Sequence, residues 1–183
     1  MHEEWHITVE GDPFQWRGFC TQLGIKPLWI ELNTFERQLM CAITPHMLDE
    51  QECTIEGLQR EIERSFKVVR FKHEVQPSDP AQLGRFGPND IVYYECHVKI
   101  DGPFRPELAM SSRDLFRADR WYVTRRSHEA FEPTHFVRSV QDYMHRHRKP
   151  ALLAGWEYEA AVRDSNPNID RLWVEHAEVC IEV

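Results

Sequence analysis

The chain has 183 residues, 42% of them hydrophobic and 28% charged, enough apolar material for a sizeable core and too much for a disordered tail. Thirty acidic against 22 basic residues give a formal charge of -8, which argues against broad adhesion to nucleic acid or anionic membrane. No apolar run approaches the roughly eighteen residues of a membrane span, and the five cysteines (Cys20, Cys41, Cys53, Cys96, Cys180) form no C-x-x-C pair, so the expected setting is a reducing cytoplasm without a disulfide framework or zinc site.

Residues 5 to 10 alternate as a strand. Asp12 and Pro13 then supply an N-cap and a first-turn proline for a helix carrying Trp16, Phe19, Cys20 and Leu23 on one stripe before Gly24. Residues 27 to 32 and 38 to 44 read as a hairpin, with Leu28, Ile30 and Leu32 on one side of the first strand and Leu39, Cys41 and Ile43 inward on the second. Thr54 caps a helix whose Ile55, Leu58, Ile62, Phe66 and Val69 fall at steps of three and four, and a strand over 70 to 75 follows. That order is βαββαβ, a ferredoxin-like arrangement over residues 1 to 76.

Pro77, Pro80, Gly84, Gly87 and Pro88 mark 77 to 90 as a linker. The segment 91 to 183 repeats the theme: a strand over 91 to 100, a helix near 106 to 117, a strand over 120 to 127, a helix from Pro133 and a strand over 154 to 163. A last extended stretch, 171 to 183, is placed to fill the sheet position left by a missing hairpin partner. The expected fold is therefore α+β, two pseudo-symmetric ferredoxin-like lobes with the second a variant of the first.

The repetition is visible in the residues themselves. Trp5-His6-Ile7-Thr8-Val9-Glu10-Gly11-Asp12-Pro13-Phe14 is echoed, 91 positions later, by Cys96-His97-Val98-Lys99-Ile100-Asp101-Gly102-Pro103-Phe104. Strand alternation puts Val92, Tyr94, Cys96, Val98 and Ile100 against helices and Tyr93, Glu95, His97 and Lys99 on the opposite face. By the same rule Ile7 and Val9 face the core, whereas His6 and Thr8 face away. Arg120, Tyr122, Thr124 and Arg126, with Glu157, Glu159 and Arg163, extend a polar face expected to lie open to water or a partner. Residues 111 to 149, including Arg113, hold nine basic against five acidic residues, so positive charge is concentrated there.

Two His-hydrophobic-Thr/Ser-hydrophobic motifs, one per half of a duplicated fold, characterise the two-histidine phosphoesterases, and this chain resembles them. His6-Ile7-Thr8-Val9 matches in full; His97-Val98-Lys99-Ile100 departs at Lys99, where the family places a hydroxyl. The resemblance implies His6 and His97 as acid and base flanking a phosphodiester, Thr8 on a phosphate oxygen, and neither metal nor cofactor. The residues themselves offer Thr8, Lys99, Arg113, Arg120 and Arg126 as anion donors. The expected ligand is a small anion, a nucleotide or an RNA end, bound and, under the resemblance, hydrolysed without metal. Two other readings use the same residues: a non-catalytic module gripping a ligand or protein, with Tyr93, Tyr122 and Trp29 as sheet aromatics, and a metal enzyme of vicinal-oxygen-chelate type with His6, His97, Glu31 and Glu95 as ligands.

Overall fold

The computed structural model describes residues 2–32, 37–77, 80–87, 89–101, 120–146, 152–166 and 176–182. In chain order the elements are β1 (His2–Glu10), α1 (Pro13–Gln22), β2 (Lys26–Leu32), β3 (Arg37–Ile43), α2 (Pro45–Glu50), α3 (Ile55–Glu63), β4 (Lys67–Gln76), a 3-10 helix (Pro80–Arg85), β5 (Tyr93–Asp101), β6 (Arg120–Ser127), α4 (Pro133–Arg146), β7 (Leu152–Asp164) and β8 (His176–Glu182). The helix expected near 106 to 117 lies outside the described residues.

Local chemistry sets the helix starts. The Asp12 carboxylate accepts from the backbone N–H of Phe14 (3.0 Å) and Gln15 (2.9 Å), with Pro13 in the first turn. Thr54 caps α3 through the Gly57 N–H at 3.1 Å. Thr44 and Pro45 repeat the cap-plus-proline device for α2, a helix the sequence reading omits. The α3 helix stops at Glu63 rather than running to Val69, because Val68 and Val69 already belong to β4, and a β-branched pair fits a strand better than a last helical turn.

The eight strands form one closed antiparallel barrel in the order β1-β3-β2-β8-β6-β5-β7-β4, with β4 back against β1. Segments before and after the 3-10 helix contribute four strands each. The first runs β4-β1-β3-β2 and the second β7-β5-β6-β8, so β8 lies beside β6 as β2 lies beside β3. A closed sheet leaves no edge for stray pairing.

Closure also decides which face is wet. Ile7, Val9, Leu39, Cys41 and Ile43 point outward and pack with Trp16, Cys20, Leu58 and Ile62 of α1 and α3. Cys96, Val98, Ile100 and Val123 do the same beneath Phe136, Val137, Val140 and Met144 of α4. The apolar residues of β1, β3, β5 and β6 that meet helices thus lie on the outside of the barrel, and the polar faces of β1 and β5 become part of its interior. This corrects the expectation of an open polar surface: Thr8, Lys72, Glu74, Glu95, Thr124, Arg126 and Glu159 are all buried. No helix among the described residues is long and apolar enough to cross a membrane.

The buried thiols sit in the outer layer, away from the polar interior. Burial pushes Cys20 up to about 12, carries Cys41 higher still, and pushes Cys96 up to about 11 against the pull of His97. With so little thiolate, these three are expected to resist an aromatic disulfide reagent in the folded protein at pH 8, while the half-buried Cys53 is labelled before them. Peptide mapping of the labelled protein checks this; modification of Cys41 before Cys53 would contradict it.

Candidate functional site

The interior is built in cross-strand rungs. On β5 and β6, Glu95 stands opposite Arg126, His97 opposite Thr124 and Lys99 opposite Tyr122. On β5 and β7, Glu95 meets Glu159, His97 meets Glu157 and Lys99 meets Gly155. On β1 and β4, Glu4 meets Glu74, His6 meets Lys72 and Thr8 meets Arg70. Directly opposed side chains on one face lie close enough to interact, so period-2 alternation delivers an inward lattice of charges.

His6 Nδ1 lies 3.0 Å from Glu74 Oε2 and its Nε2 lies 3.4 Å from Glu4 Oε2. The Nδ1 contact is an ion contact whose angle falls short of hydrogen-bond geometry. Burial alone pushes the His6 imidazolium toward neutrality, but Glu74 and Glu4 outweigh it and raise the pKa to about 9. His97 is held more tightly. Its Nε2 contacts Glu159 Oε1 at 2.7 Å and Glu95 Oε2 at 3.6 Å, and its Nδ1 shares a 2.6 Å hydrogen bond with Thr124 Oγ1. Burial again opposes the charge, Glu159 and Glu95 favour it, and the pKa stands well above the ordinary histidine value. Both rings are therefore imidazolium near neutral pH.

Between them runs a continuous ionic chain. The Lys72 ammonium contacts Glu74 on one side and Glu95 Oε2, at 3.2 Å, on the other, and the Arg126 guanidinium closes on Glu95 Oε1. Glu74 and Glu95 are wholly buried, and Lys72 has a side-chain exposure of 8%. Burial works against the Glu95 carboxylate, but Lys72 and Arg126 hold it far below the usual range. Glu159 goes the other way: burial and the nearby Glu74 raise its pKa against the pull of His97. Arg126 also lies 4.6 Å above the Tyr93 ring, whose hydroxyl donates to Asp164 Oδ2 at 2.5 Å. Asp164 in turn takes a bidentate grip from Arg70 at 2.5 and 3.0 Å, which seals this end of the ionic layer.

Above the chain the barrel opens into a cavity of about 350 Å³. Its lining brings together His6, His97, Lys99 and Tyr122 from the sequence-predicted set, with Glu4, Lys26, Gln76, Glu157 and Glu159. Leu28, Ile30, Met40 and Ala42 of β2 and β3 complete the wall. Trp16 on α1 donates its indole N–H to the Met40 carbonyl at 3.1 Å, tying this wall to the outer helix layer. No protein-family model, curated protein or solved structure matches the chain.

The other predicted residues are placed differently. Thr8 faces inward but is buried below the cavity lining. Arg126 is committed to Glu95 and Tyr93. Arg120 opens β6, but its side chain is outside the description, as is Glu31's; Arg113 lies outside the described residues altogether. Trp29 packs against the helix-side core rather than presenting a stacking face, and Tyr93 is wholly buried. Lys72 and Glu74 were missed, although Arg70, Lys72, Glu74 and Gln76 alternate in β4 as plainly as the histidine strands do.

Ligand atoms of Glu74, Glu95, His97 and Glu159 lie within 4.8 Å of one another, a donor set of the kind that suits zinc or manganese. Lys72 occupies the place a cation would take, since its ammonium touches both Glu74 and Glu95. The charges of this cluster are already compensated by protein groups, so it does not fit a resident metal as it stands.

Proposed function

We propose that the barrel interior binds one small anionic molecule of the phosphoester or nucleotide type, and that the barrel is assembled from two repeats of one ferredoxin-like unit. The observation carrying the binding reading is that His6, His97 and Lys99, from the two echoed strands, line a single cavity. Four cationic side chains, His6, Lys26, His97 and Lys99, face three carboxylates, Glu4, Glu157 and Glu159, among the described lining residues. An excess of positive charge inside an acidic protein is a local attraction for an anion. A volume near the lower end of small-molecule sites, about 300–1,000 Å³, suits one compact ligand and not a nucleic-acid strand.

Binding is favoured over turnover by the protonation states. Acid–base hydrolysis needs one group free to take a proton as well as one able to give it. Both imidazoles are already protonated and ion-paired. A metal-independent hydrolytic reading has one specific support, the contact of His97 with Glu159, whose raised pKa makes the carboxylate a proton acceptor close to the ring.

Titration calorimetry with methyl phosphate at pH 7 tests the reading. Saturable one-to-one binding is expected, weakened about tenfold or more by His6→Asn and by Lys99→Met, each of which removes a cation from the lining. Chelators and added Mn2+ or Zn2+ are expected to leave the isotherm unchanged. Absence of heat with every phosphate ester, or binding that appears only with metal, would overturn it.

A further inference from the structure

The cavity is divided into two chemically distinct halves. Leu28, Ile30, Met40 and Ala42, from the adjacent strands β2 and β3, form one wall. The ionic groups come from β1, β5 and β7, with Lys26 at the start of β2. The cross-strand register stacks the apolar wall in two rungs, Leu28 beside Met40 and Ile30 one step further along β2, facing into the barrel. Trp29, the residue between them, turns to the helix side instead. β2 thus turns Leu28 and Ile30 into the barrel, where Met40 and Ala42 of β3 join them, the reverse of β1 and β5, whose apolar faces lie outside.

A bare phosphate would satisfy only one of these halves. It would leave the β2–β3 wall against water, whereas a chain of phosphates would press further charge against aliphatic side chains at a large desolvation cost. The three lining carboxylates add to this, because the additional negative charges of a polyphosphate meet Glu4, Glu157 and Glu159 with Lys26 as the one described lining cation beyond His6, His97 and Lys99.

Resting on the anion-binding reading above, we infer that the ligand is an amphipathic phosphate monoester: one phosphate group held on the His6, His97 and Lys99 side and one compact apolar body, aromatic or branched aliphatic, laid against Leu28, Ile30 and Met40. The apolar body sets the affinity, through surface removed from water in a pocket walled by the barrel. Leu28 and Ile30 are the specificity-determining residues, and the carboxylates exclude polyphosphates.

Calorimetry with 1-naphthyl phosphate, methyl phosphate and tripolyphosphate on the intact chain tests this. Naphthyl phosphate is expected to bind about tenfold or more tighter than methyl phosphate, and tripolyphosphate more weakly than either. In Leu28→Thr and Ile30→Thr the ratio of naphthyl phosphate to methyl phosphate affinity is expected to fall, with circular dichroism confirming an unchanged fold. If methyl and naphthyl phosphate bind equally, or tripolyphosphate binds tightest, the amphipathic inference falls and the anion reading stands. If none of the three binds, both fall.

Discussion

Replacing Glu95 with alanine is expected to lower the unfolding free energy by about 3–5 kcal/mol, the usual consequence of removing one member of a buried ion network. Glu95 is wholly buried and meets Lys72, Arg126 and His97 together. Without it, Lys72 retains Glu74, and His97 retains Glu159, but Arg126 loses its carboxylate at a site where the side chain has 3% exposure. Glu95→Gln keeps the volume and loses the charge, so it should cost less with the same sign. A double-mutant cycle isolates the network: Lys72→Met is expected to destabilise the wild-type chain more than it destabilises the Glu95→Gln background, since the ammonium has one fewer anion to lose there. Urea unfolding measured for the four proteins reads this directly. Equal costs of Lys72→Met in both backgrounds would show that the two groups do not share a network.

Stability is expected to fall between pH 7 and 9.5, a range in which most small proteins change little. His6 has its pKa raised from 6.5 to about 9 in the folded chain, so its contribution is fully present below pH 6.5 and is lost as pH rises through about 9. The displacement corresponds to about 3 kcal/mol for this one group, whose side chain is 16% exposed. His97 is shifted in the same direction, by Glu159 and Glu95 against burial, and likewise loses its contribution as pH rises. On the acid side the order reverses. Glu4, Glu74, Glu95 and Asp164 have lowered pKa values, so their contributions hold above the ordinary carboxylate range and disappear as pH falls. Maximal stability is therefore expected at about pH 5–7. Urea midpoints across pH 4 to 10 test it, and His6→Gln should flatten the alkaline limb. A wild-type midpoint that stays level from pH 7 to 9.5 would mean that His6 carries no buried charge.

Much of the fold was legible because alternation and capping are local. Asp12-Pro13 and Thr54 mark helix starts by the hydrogen bonds they make, and the periodicity of β5 sorts its two faces correctly without reference to any neighbour. Barrel closure was not legible, because it depends on pairings such as β2 with β8 and β4 with β7 that join distant parts of the chain. Missing that closure turned a buried charge lattice into an imagined open surface. The histidines carried a motif, so they were found. Lys72 and Glu74 carry none, and their importance arises only when β4 is placed beside β1 and β7. The apolar wall was hidden for a further reason: Leu28 and Ile30 look like ordinary core residues until the barrel shows that β2, unlike β1 and β5, turns its aliphatic residues inward.

The central claim is that His6 and His97 border one binding cavity inside the barrel. Histidine side-chain NMR during a titration with 1-naphthyl phosphate tests it most directly. The account predicts that the ring resonances of His6 and His97 both move along one saturation curve, while those of the exposed His46 and His135 stay in place. Movement of the exposed rings with His6 and His97 unmoved would contradict it.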